Sequence, residues 1–409
     1  MSRRRRALIA AGSVVALAAT GVIAWRVLAP AEVVTSAVTD YPSRSPDPLA
    51  GPKGALVSSP LILDGRLRVY ATDRRVWSDT SADYRWETNA FWSYRRWPER
   101  VAAVAAPAST DPLVASLWSD GRLVGLDGRT GKVSWQSETG ITPPSVDPGR
   151  TGSALVWQQI SLLTGVTTDG RPVIVVVGAA ETRAYSASDG ALLWSQRFSC
   201  DGGNLTSAGA YITLDPCTHE LVQVDLGSGA VKRAAAPASK VTGLACRVFR
   251  SECGGLRLDQ SSATVFTGAE GTSAPALAPT TSWLAMTADG RPVAFDATFT
   301  ARDPADGKEL WSWRPKGLSS PASVIATVPG RILLLTEDRT LIALDTTDGA
   351  ELSRSSVLLK QDGDAPYVIG PVYAVGRYVA VERHIPGASS AEGGDKFYYT
   401  NRPVLLAVS

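Results

Sequence analysis

The side chains able to do chemistry are few and scattered. His219 and His384 stand 165 positions apart, and neither lies near a serine or cysteine in a nucleophile motif. Triad chemistry needs a shared geometry that this spacing does not advertise. Glu252 beside Cys253, and Asp303 with Asp306, have the proximity that acid–base work or calcium would use; turn and loop carboxylates are the plainer reading. There is no Gly-x-Gly-x-x-Gly and no phosphate loop. The four cysteines, Cys200, Cys217, Cys246 and Cys253, contain no Cys-x-x-Cys, which sets a zinc site aside. Their even number suits disulfides in an oxidising compartment. Of three possible pairings, Cys200–Cys217 with Cys246–Cys253 is preferred, because each loop then closes within one hairpin. No catalytic, cofactor-binding or metal-binding residue is assigned.

One segment is chemically conspicuous. Residues 74–100 hold Trp77, Trp86, Trp92 and Trp97 interleaved with Arg74, Arg75, Arg85, Arg95, Arg96 and Arg100. Trp and Arg dominate protein interface hot spots, and guanidinium groups stack on indoles. Trp86, Trp92, Arg95, Arg96 and Trp97 therefore form a candidate patch for a protein or glycan. The competing reading is that these tryptophans plug a sheet from inside.

Composition narrows the partners. Hydrophobic residues at 44% and charged residues at 20% describe a globular chain, not a disordered one. The formal net charge is +2, but Arg3, Arg4, Arg5, Arg6 and Arg26 supply five positive charges at the N-terminus, leaving −3 beyond them. A slightly acidic body argues against nucleic acid.

The same end carries an address. Residues 7–24 are 18 uncharged residues, and continued to residue 28 they nearly span a hydrocarbon core of about 30 Å. Arg3–Arg6 precede them, so residues 1–6 are expected in the cytoplasm and the bulk outside. A single-pass plasma-membrane anchor over 7–28 is preferred to a signal peptide cleaved near Ala29-Pro30-Ala31, since Trp25-Arg26 is an awkward approach to cleavage. No cysteine follows the stretch to take a lipid. Residues 29–54, with four prolines from Pro42 to Pro52, suit a semi-extended tether. Asn204-Leu205-Thr206 is a formal glycosylation sequon, expected to be idle because 33 of the 41 basic residues are Arg, as in GC-rich bacterial coding.

Beyond the tether the chain repeats. LVGLDGRTGKVSW (123–135) is an apolar strand, Asp127, a turn ending at Gly131, and a second strand carrying Trp135. The frame returns with Gly190 and Trp194; Asp225 and Gly229; Asp303, Gly307 and Trp311; Asp345 and Gly349. Asp accepts backbone N–H bonds to start the turn, and Gly takes the positive-φ position. Trp supplies a large apolar plug against a neighbouring sheet. The Gly-to-Gly spacings are 59, 39, 78 and 42, and the 78 hides a degenerate copy around residues 256–271. Steps of about 44 residues match a four-stranded propeller blade. The all-β region 55–409 is thus expected to be a propeller of eight four-stranded blades, with seven the near rival. The C-terminal run 403–409 lacks a following strand, so ring closure should borrow one from around residues 55–57.

The frame apolar-Ala-Leu-Asp-x-x-x-Gly-x-x-x-Trp, clearest around Asp127, Asp303 and Asp345, resembles the repeat of pyrroloquinoline-quinone-like (quinoprotein-type) β-propellers. That superfamily includes quinone-dependent dehydrogenases and a non-enzymatic propeller lipoprotein of the outer-membrane assembly machinery. The dehydrogenases set a disulfide between adjacent cysteines against the cofactor; this chain has no adjacent pair and no Cys-x-x-Cys-His for haem. The resemblance therefore implies a membrane-anchored, monomeric propeller without cofactor, binding protein partners in the bacterial envelope. The alternative is a quinoprotein-like oxidoreductase or small-molecule binder using the central channel.

Overall fold

The structure is a computed structural model and describes residues 31–44, 49–198, 203–215, 217–236, 240–258, 264–267, 270–273, 283–295, 298–317, 321–359, 367–388 and 397–409. The expected transmembrane segment lies outside them; among the described residues no helix is long and apolar enough to cross a membrane.

Strands pair antiparallel with chain neighbours and form seven sheets. Six are built on four-stranded meanders, such as Leu162–Val166, Pro172–Val177, Glu181–Ser186 and Leu192–Arg197 in the third. The fourth carries eight strands, two meanders joined by one parallel pair, Ser207↔Cys253. The ring is thus an all-β propeller of seven sheets, and the fused sheet accounts for the difference from eight four-stranded units. The copy expected near 256–271 is its second meander, with Ser251–Leu258, Thr264–Thr267 and Glu270–Ser273 paired in succession. Strands such as Val101–Ala105 and Val404–Val408 are buried on both faces, and buried clusters fill the wedges between consecutive sheets: Trp135, Ile174 and Tyr185 between the second and third, Trp194, Tyr211 and Val222 between the third and fourth.

Closure follows the expectation from the repeat. Gly51–Leu56 lies antiparallel to Val404–Val408 as the outermost strand of the seventh sheet, with Ala55 opposite Leu405. A second strand falls in the stretch expected to be a tether: Ala31–Thr35 pairs with Trp92–Trp97 and gives the first sheet a fifth strand. Residues 31–35 and 51–56 are therefore bound to the propeller.

The Asp–Gly turns have the expected chemistry. Asp127 Oδ1 accepts the N–H groups of Arg129 and Thr130 at 2.8 and 2.9 Å, and the Gly131 N–H donates to the Asp127 carbonyl. Asp225, Asp303 and Asp345 accept in the same way.

Candidate functional site

The repeat tryptophans lock each sheet to the next. Nε1 of Trp135 donates to the carbonyl of Ala187 at 2.9 Å, Trp194 to Leu226 at 3.0 Å and Trp311 to Thr346 at 3.1 Å. The indole lies on the turn glycine of that neighbour. A Cβ on Gly190 would stand 2.5 Å from Trp135, and one on Gly349 2.5 Å from Trp311. Each glycine thus serves twice, supplying a positive φ and yielding its side-chain space to an indole.

Trp92 belongs to this set. It is fully buried, its Nε1 donates to the Gly128 carbonyl at 2.9 Å, and it covers Gly131. Arg96, 7% exposed, makes a bidentate pair with Asp120 at 2.9 and 2.7 Å and lies over the Trp118 ring. The candidate patch is therefore divided by the alternation of the strand. Trp92 and Arg96 face the second sheet, whereas Arg95 and Trp97 face out. Trp86 lies elsewhere, half-buried between the guanidinium groups of Arg85 and Arg402. Arg75, opposite Arg95, and Trp77, two residues further along, complete the outward face.

The centre of the ring is occupied by the chain itself. The hairpin Val241–Val248 and Ser251–Leu258 is long, and its strands contact the innermost strands of the third, fifth, sixth and seventh sheets, Leu162–Val166, Trp283–Met286, Ala322–Val328 and Val368–Val375. The Ser251 hydroxyl accepts from the Thr164 N–H at 3.0 Å, and the Arg250 carbonyl accepts from Thr206 at 2.9 Å. Opposite, Cys246 and Phe249 share a cavity with Val328 and Tyr373 of the sixth and seventh sheets. Only a segment on the axis can meet all of these.

Glu252 fixes the tip. Its carboxylate accepts Arg247 Nε at 2.6 Å and Nη2 at 2.9 Å, the Thr164 hydroxyl at 2.7 Å and the Ala108 N–H at 3.2 Å. Arg247 in turn donates to the Ala106 carbonyl. A second segment closes in beside it. Thr151 receives the Ser59 N–H, its hydroxyl donates to buried Glu382, and Trp157 stacks on Tyr373 with ring centroids 5.5 Å apart.

The remaining expectations place as follows. Cys246 and Cys253 form a disulfide across this hairpin. Cys217 is also disulfide-bonded, and its expected partner Cys200 lies outside the described residues. Asn204 is 3% exposed within a strand, a position closed to a glycan. His219 lies in the turn before Glu220–Asp225 of the fourth sheet, and His384 ends Tyr378–His384 of the seventh. Asp303 and Asp306 cap their own turn. Among the described residues no three His, Cys, Asp or Glu converge as a metal site.

A quinone with calcium does not fit the cavity between the hairpin and the sixth and seventh sheets. That cavity, of about 410 Å³, has an aromatic floor in Trp157 and Tyr373, but its lining includes neither a carboxylate for the ion nor a cation for the quinone's acids. The disulfide links residues seven apart, not adjacent ones.

Together these features define a quinoprotein-type β-propeller whose axis is filled by its own chain. Its sequence belongs to the family described as outer membrane protein assembly factor BamB, which matches residues 3–149 and 266–393. No functionally curated protein matches the chain. Among solved structures, it is similar to BamB from Moraxella catarrhalis at 14% identity, covering 87% of this chain and 83% of that one, with a TM-score of 0.36. It is similar to the computationally designed Ika8 protein at 11% identity, covering 88% and 100%, with a TM-score of 0.46. It is also similar to the dihydro-heme d1 dehydrogenase NirN at 15% identity, covering 86% and 73%, with a TM-score of 0.45.

Proposed function

We propose that this chain is a protein-binding scaffold of the bacterial envelope, without catalysis of its own. Residues 7–28 anchor it in the plasma membrane and the propeller stands on the extracytoplasmic side. The observation that carries this is the filled axis. An enzyme of this fold would converge its polar groups at the centre of the ring, where this chain places a stapled hairpin whose carboxylate is spent on holding the tip. Family membership supports the same role, since the family is described as an assembly factor. The partners are envelope proteins that meet the outer faces and rim of the ring.

Two measurements on the full-length protein test this. Photoreactive residues at exposed positions on the outer strands of the third, fifth and sixth sheets, such as Leu192, Leu310 and Leu352, should yield discrete protein adducts in intact cells, and adducts no different from those of a buried control position would sink the scaffold. Pyrroloquinoline quinone with calcium should leave the unfolding transition unmoved. The aromatic floor beside Cys246 favours a small-molecule site as a second reading. A ligand at 100 times its dissociation constant would then stabilise by about 2.7 kcal/mol, a visible shift.

A further inference from the structure

The outward face of the first sheet has a charge arrangement that the fold does not explain. Arg75 and Arg95 lie directly opposite each other on adjacent strands, and Val33 follows Arg95 in the same row. Like charges opposite each other weaken a sheet. Among the described residues no carboxylate pairs with either. Burial, and then the neighbouring Arg95, push the Arg75 guanidinium below its usual pKa.

Indoles flank the pair. Trp77 lies under Arg75 with 5.2 Å from guanidinium to ring, and Trp97 lies under Arg74 at 4.5 Å. Trp97 is 38% exposed and Val33 43%. Arg100 is exposed at the same corner. The body of the chain is acidic, so this basic and aromatic corner is a local exception.

Its position suggests what it meets. The apolar stretch ends at residue 28, and strand pairing begins at Ala31, directly opposite Trp97. Three residues of chain reach at most about 10 Å. That is comparable with the headgroup layer, given a bilayer of about 40–45 Å around a core of about 30 Å. Ala31–Thr35 is hydrogen-bonded into the sheet, so the ring has no slack on that side.

We propose that the Arg75–Arg95–Trp97 corner docks onto anionic phospholipid headgroups of the membrane that anchors the chain. This rests on the anchor proposed for residues 7–28. Indoles favour the headgroup layer, and juxtamembrane guanidinium groups are drawn to anionic lipid. The propeller then lies with its first sheet against the membrane and its far side open to partners.

The test uses the full chain reconstituted into vesicles of phosphatidylcholine and phosphatidylglycerol, with bromine on the acyl chains near the headgroup. Comparing wild type with Trp97→Phe isolates the quenching of Trp97 from that of Trp25 and the other indoles. The expected result is stronger quenching in wild type, lost in phosphatidylcholine alone and lost in Arg95→Glu. Arg95→Glu should also raise the melting temperature, because it turns a like-charge pair into an ion pair. A melting gain coupled to loss of lipid contact is a signature that a purely structural arginine would not give, and it shows that the variant folds. Retention after alkaline carbonate washing with equal quenching in wild type and Trp97→Phe would overturn the docking while the anchor stands. The corner would then be left to an acidic protein segment. Release by carbonate would overturn the anchor, and the docking with it.

Discussion

Glu252 shows how much one side chain can carry. It joins the second and third sheets to the axial hairpin through four accepted hydrogen bonds, two of them from Arg247. Glu252→Gln keeps the shape but leaves Arg247 without its counter-charge. It should lower stability by about 1.5–3 kcal/mol, the range for hydrogen bonds to charged groups, read by urea unfolding. Asp120 gives a pH-dependent counterpart. Burial, the largest single influence, would raise its pKa, but the hydrogen bonds from Arg96 and the Arg122 N–H, with the charges of both arginines, together outweigh it and hold the carboxyl below the usual range. A lowered carboxylate stabilises the fold above the unfolded pKa of about 3.9, and that contribution disappears as pH falls through the folded value. Asp120→Asn should therefore cost about 1–2 kcal/mol at neutral pH. The gap from wild type should close in denaturation series taken below pH 4.

At the scale of elements, the tryptophan lock makes a graded prediction. Trp194→Phe keeps the apolar plug but loses the bond to Leu226, for a cost of about 1 kcal/mol. Trp194→Ala opens the wedge and should cost about 3–5 kcal/mol. Gly229→Ala should be costly although it adds a single carbon, because that carbon falls 2.6 Å from Trp194 at a φ of +72°. Thermal melts of the three variants rank them. Much of this lock was legible in the sequence, because Asp127, Gly131 and Trp135 perform local turn chemistry at fixed spacing. For Trp92 the plug was one of two readings of its segment, and the spacing did not separate it from the outward tryptophans, because the connection from Asp79 to Trp92 leaves no glycine four residues ahead of it. The hairpin closed by Cys246–Cys253 was legible, but its place on the axis was not. Its contacts, Thr164 with Ser251 and Ala108 with Glu252, join residues 87 and 144 positions apart, and local patterning has no access to such separations.

For the whole molecule, the ring depends on one borrowed strand. The four-stranded period was readable, as was the need for a partner beside the last strand. The fusion of two meanders at Ser207 and Cys253 was not, since a single parallel bridge leaves no trace in spacing. Leu56 is fully buried in the borrowed strand. Leu56→Asp should detach it and bare the edge of Val404–Val408, a template for pairing with another chain. Self-association in light scattering is the expected outcome, and a stable monomer would show that the ring does not need this closure. Closure also imposes an order in time. Leu56 and Val404 are separated by 348 positions, and synthesis proceeds at about 5–20 residues per second. The first half of the clasp therefore waits roughly 20–70 s for its mate. Until then that segment is an unpaired edge among other sticky strands, and its partner-free interval lengthens as synthesis slows.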